Sequence, residues 1–109
     1  MGEGTEEWDI TSPSLIVYKL NDSQEIFEKI QFGSIEDLHT HLVSDNVLLV
    51  IDIASQESYL WKGESTTIHM KFLAARIAPE VRDKHGTMAL HTVDENSESV
   101  EFKTLLKLS

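Results

Sequence analysis

The chain has no cysteine in its 109 residues. That excludes a disulfide staple and thiolate chemistry, and it fits a reducing compartment. No apolar run approaches the roughly 18 residues that a membrane-spanning helix requires. The first residues are acidic and glycine-rich rather than a secretory signal, so a cytoplasmic protein without membrane insertion is expected. Positive charge is scarce: nine Lys and Arg stand against 19 Asp and Glu, a formal charge of −10. Such a surface disfavours nucleic acid and anionic lipid heads. It would suit a partner with basic patches, although a solvated acidic surface is the commoner reason for such a balance. Catalytic signatures are missing as well. There is no nucleophile elbow, no Gly-rich phosphate loop and no His/Glu zinc spacing. His39 and His41, two apart, would point to opposite sides of a helix and cannot chelate together. His69, on a helix shoulder, and His91, in a strand, read as structural. Asp94-Glu95 is an acid pair, but at a strand-to-helix turn it more simply serves the helix N-terminus. Nothing here argues for an enzyme.

What is present is a soluble globular composition, 40% hydrophobic and 26% charged, long enough for one domain with its own core. The residues 1–13 read as a flexible acidic tail closed by Pro13, and 14–109 as a single domain. Trp8 in that tail either docks on the body or binds a partner. The organising stretch is 47–82. Val47-Leu48-Leu49-Val50-Ile51 is short and rich in β-branched residues, the signature of a strand covered on both faces. The residues 54–58 turn the chain, and Tyr59-Leu60-Trp61-Lys62 returns with its aromatics on one face. Gly63 breaks that strand. Glu64-Ser65-Thr66-Thr67 opens a helix over 68–78, with hydroxyls as caps and an acid near the positive end of the dipole. Around this lie a strand over 15–20, a turn at Asn21-Asp22-Ser23, a second strand over 24–31, and a short helix over 35–42 capped by Ser34. Downstream come a stop at Gly86, a last strand over 88–93, a polar turn, and a terminal helix capped by Ser97 or Ser99 that carries Val100, Phe102, Leu105, Leu106 and Leu108.

The long helix has two apolar arcs. At about 100° per residue, Met70, Leu73, Ala74, Ile77 and Val81 share one side, which should face the sheet. Ile68, Phe72, Ala75 and Pro79 share the opposite side, flanked by Lys71, Arg76 and Arg82. A globular helix needs one stripe, so the second either packs under another element or is a binding face. Pro79 removes a helix hydrogen bond and should kink or end the helix near Ala78.

In order, Val50-Ile51-Asp52, Tyr59-Leu60-Trp61-Lys62-Gly63, Lys71-Phe72-Leu73-Ala74-Ala75, Gly86, Val93-Asp94-Glu95, Glu101-Phe102 and Leu105-Leu106 resemble the frame of a gelsolin/villin-type domain. The likeness covers about residues 14–108. It implies an α+β fold: a central mixed sheet of about five strands flanked by one long helix and short helices, gelsolin-like and related to ADF/cofilin-type folds. It implies an actin-binding regulatory domain that acts on actin or an actin homologue, by monomer sequestering or end capping, as a monomer. The outer stripe would be the actin-binding face: Ile68, Phe72, Ala75, Arg76 and Pro79. The alternative is a gelsolin-like structural or adaptor module in a vesicle-coat or trafficking assembly. The family's internal calcium site needs an aspartate entering the central strand and a glutamate near the start of the long helix. Counted from Asp52 and Gly63, those positions are Val47 and Met70 here. Calcium needs several hard oxygen ligands, so this site reads as degenerate. No cofactor or metal is expected there.

Overall fold

The computed structural model describes residues 15–108, so the flexible tail expected over 1–13, with Trp8 in it, lies outside the described residues. The elements run β1 (Leu15–Asn21), β2 (Ile26–Lys29), α1 (Ile35–His39), β3 (Val47–Asp52), β4 (Glu57–Lys62), α2 (Ile68–Asp83), β5 (Ala89–Asp94) and α3 (Val100–Leu106). The strands form one sheet in the order β2-β1-β3-β4-β5. Every pairing is antiparallel except β4 with β5. A parallel pair cannot be joined by a hairpin, and α2 is the crossover that joins this one. The sheet is therefore mixed and the fold α+β, as expected.

β3 holds the centre because its residues can be buried on both sides. All five apolar residues from Val47 to Ile51 are 0% exposed. Their alternation splits the core in two. Val47, Leu49 and Ile51 join Leu20, Leu60, Leu73, Ala74, Ala78 and Val81 beneath α2. Leu48 and Val50 join Val17, Leu38, Tyr59, Trp61, Phe102 and Leu106 beneath α1 and α3. The long helix thus covers one face and the short helices the other. Tyr59 and Trp61 share a face, as their spacing requires.

Several boundaries differ from the sequence-based expectation, each for a local reason. β2 is shorter than 24–31, because Glu25 takes a positive φ of 59° in the turn. β4 begins at Glu57, inside the expected turn: Gln56 already closes the hairpin with a φ of 60°. Ser58 is fully buried, and its hydroxyl donates to the Ala89 carbonyl at 2.6 Å. α1 ends at His39, and the chain continues to Leu42 in tighter turns bonded three residues back. The last strand starts at Ala89 rather than Met88. Thr67 caps α2 by accepting from the Met70 N–H at 3.0 Å. Glu64 is not in its first turn, which holds no acid. Ser99 rather than Ser97 caps α3.

Pro79 neither ends nor breaks α2, which continues to Asp83. The N–H that proline lacks would have met the carbonyl of Ala75, an exposed residue where water can substitute. On the opposite side Ala78 and Val81 are buried, so the turns before and after Pro79 are both pinned to the sheet. Gly63 is required by a close approach: a Cβ there would lie 2.2 Å from the Ser44 carbonyl oxygen. Its N–H instead donates to the Asn46 carbonyl at 2.9 Å.

Candidate functional site

Among the described residues, nothing covers one side of α2. Ile68 is 81% exposed and Phe72 77%, and Ala75 is exposed beside them. Ile68 and Phe72 stand one turn apart, with Ala75 three residues on, so helical geometry makes them one stripe. A shallow groove of about 470 Å³ runs along it, lined by His69, Phe72, Ala75 and Arg76. Of the residues named from the sequence, Ile68, Phe72, Ala75 and Arg76 come together here. Pro79 lies a turn further on, half-buried. The stripe exists because the inward arc is already satisfied: Leu73, Ala74, Ala78 and Val81 are buried, and Met70 and Ile77 pack against the same cluster.

The structure adds residues that sequence reasoning missed. Arg76 also borders a second groove of about 430 Å³, between α2 and the β1–β2 hairpin, with Ile26, Phe27, Ile77 and Val81. Its guanidinium lies 3.6 Å from the Glu25 carboxylate at the hairpin turn. Ile26, 42% exposed, extends the apolar surface beyond the helix. The signal for it was the two-residue alternation of β2, which sends Phe27 inward and Ile26 out. His69 is exposed on the groove rather than structural. His91 is exposed too, with its Nε2 bonded to the Glu57 carboxylate.

Charge is distributed unevenly about this surface. Four of the nine cations, Lys71, Arg76, Arg82 and Lys84, lie on α2 or its cap, against two acids, Glu80 and Asp83. Arg82 is tied to Asp83 at 2.9 Å. The helix is thus a cationic, apolar strip on an otherwise acidic molecule. At its far end the Tyr18 hydroxyl meets His85 Nε2 at 2.8 Å, fastening the C-terminus of the helix to β1. Burial pushes the Tyr18 phenol up from its ordinary value.

The two positions at which the resemblance would place calcium-binding carboxylates are apolar here and lie in the core. Val47 and Met70 both belong to the core layer under α2. Asp94 and Glu95 do not serve the N-terminus of α3, contrary to expectation. Asp94 lies 3.6 Å from the Lys62 amine. The Glu95 carboxylate accepts from the Glu64 N–H at 2.7 Å and from the Ser44 hydroxyl at 3.0 Å, joining the loop before β3 to the loop before α2. The reason is the parallel β4–β5 pairing, which brings the end of β5 alongside Lys62.

No family model matches this chain, and no curated protein does. Solved structures do. The Thorarchaeota ProGel chain, crystallised in complex with rabbit actin, is similar at a TM-score of 0.72 and 20% identity, over 84% of this chain and 98% of that one. The Thorarchaeota 2DGel3 chain, also in complex with rabbit actin, is similar at a TM-score of 0.60 and 21% identity, over 84% of this chain. The present chain spans 44% of the length of 2DGel3. At these identities the likeness is one of fold, and that fold is the gelsolin-like one anticipated from the ordered motifs.

Proposed function

We propose that this chain binds actin or an actin homologue through the outward stripe of α2 and regulates its assembly by sequestering monomers or capping an end. The observation that carries the reading is the exposure of Ile68 and Phe72, on a fold shared with two chains that were crystallised with actin. Apolar anchors on one helix face with charged rims suit a helix-in-groove contact. The cations of α2 would speed encounter with an acidic surface. The role is one of binding rather than catalysis, and it does not depend on calcium. Supporting that independence, apolar side chains stand where the carboxylates would be, and the neighbouring loops are joined by Glu95 instead.

The test is the double variant Ile68→Ser, Phe72→Ser. Exposed anchors of this kind contribute about 2 kcal/mol or more each on truncation, so binding measured by co-sedimentation and by polymerisation kinetics should fall by at least two orders of magnitude. Folding should be retained, because both side chains point away from the sheet. A folded variant that still slows assembly like the wild type would move the interface elsewhere. One stripe engages one subunit, so filaments should not be severed by this domain alone.

A further inference from the structure

The sheet face opposite α2 carries a second opening that the actin reading does not use. Where the start of α3 overhangs β4 and β5 lies a cleft of about 660 Å³, walled by Ser55, Glu57, Tyr59, His91, Ser99 and Glu101. The parallel register sets Tyr59 beside His91, with ring centroids 5.3 Å apart. Phe102 meets Tyr59 edge-on at 5.6 Å. Tyr59 is only 7% exposed, yet among the described residues its hydroxyl has no hydrogen-bond partner. The hydroxyl is on the lining of the cleft, where a phenol can donate to or accept from a ligand. The fixed charge around it is negative. Beyond its burial, the carboxylates of Glu57, Asp52 and Glu101 push the Tyr59 phenol up from its ordinary value. No Lys or Arg lines the cleft. Glu57 uses Oε1 for His91, which leaves Oε2, and Glu101 has no ion-pair partner among the described residues.

An acidic cleft with aromatic walls suits a cation. No three His, Asp or Glu side chains among the described residues converge to hold a metal ion, which points to an organic one. A guanidinium fits better than an ammonium. Its planar fork of donors can reach two separated carboxylates and the phenol oxygen at once, and it stacks on an exposed ring such as that of His91. The cleft opens along β5, an edge strand, so a polypeptide has room to run past it. We propose that this cleft binds an arginine side chain presented by a segment of a partner protein.

A heteronuclear NMR titration tests this with an acetylated, amidated Gly-Arg-Gly peptide, the same peptide with citrulline or lysine, and free methylguanidine. The arginine peptide should shift resonances around Tyr59, His91 and Glu101. The citrulline peptide should bind roughly tenfold more weakly or worse, since it lacks the charge, and lysine should fall between. Glu57→Gln with Glu101→Gln should abolish the effect, and Tyr59→Phe should weaken it severalfold. Asp22→Asn with Glu28→Gln, on the far hairpin, should leave it intact. Absence of shifts, equal binding of citrulline, or shifts spread over the acidic surface and lost equally in the hairpin variant would overturn the site. Methylguanidine binding as tightly as the peptide would overturn the assignment to a protein segment. None of these outcomes bears on Ile68 and Phe72, which lie on the other side of the molecule.

Discussion

Trp61 is 1% exposed, and its indole N–H donates to the Glu98 carboxylate at 3.0 Å. Partial burial pushes the Glu98 carboxyl up. The indole, the backbone N–H groups of Glu98 and Asn96, and the Lys103 charge outweigh it, so the group titrates below the usual 4.5. A carboxylate depressed on folding adds stability that is present above the unfolded value and lost as the pH falls through the folded one. The stability difference between the wild type and Glu98→Gln should therefore be largest near neutral pH and close below about 4.5, as followed by Trp61 fluorescence in denaturant titrations at each pH. A difference constant with pH would mean that the carboxylate charge does not matter to the bond. Leu49 offers a simpler expectation. It is fully buried in the strand that both core clusters share, and Leu49→Ala should cost roughly 2–5 kcal/mol. A near-unchanged unfolding midpoint would contradict its central place. The burial of Leu49 was legible from its apolar run. The partner of Trp61 was not, because Glu98 lies 37 residues away and meets it only once α3 folds back across the sheet.

α2 is the element where local and tertiary preference disagree. A proline in a helix interior opposes helix formation by about 3 kcal/mol relative to alanine, while its rigidity removes some entropy from the unfolded chain. Here the buried side chains on the inner arc hold both halves to the sheet, and the unbonded carbonyl faces water. Pro79→Ala should restore the missing hydrogen bond and raise stability by about 2 kcal/mol, read from the denaturant midpoint. A loss of stability would show that the ring packs against something that alanine cannot replace. The two arcs of this helix followed from the 3.6-residue period. Its length did not, since sequence reasoning weighed Pro79 alone and not the packing on either side of it.

For the molecule as a whole, Val47 and Met70, where the resemblance would place calcium ligands, are apolar, and Glu95 joins the loops before β3 and α2. Millimolar calcium should therefore shift the melting midpoint little, and calorimetry should show no stoichiometric tight site. A large stabilisation by mass action would contradict this. The charge map has the same scale. An acidic body with a cationic helix should associate faster at low ionic strength through that helix.

The sequence by itself determined the central strand, the order of the elements and the inward and outward arcs of α2. Each of these is written in short-range periodicity: two along a strand, 3.6 along a helix. Only the tertiary structure decided that Pro79 is tolerated, that Glu95 bridges two loops, that Arg76 lies against Glu25, and that Glu57, Tyr59, His91 and Glu101 share a cleft. Those facts depend on pairs far apart in the chain. Their meeting is set by the parallel β4–β5 register and by α3 closing over it, and no local pattern encodes it.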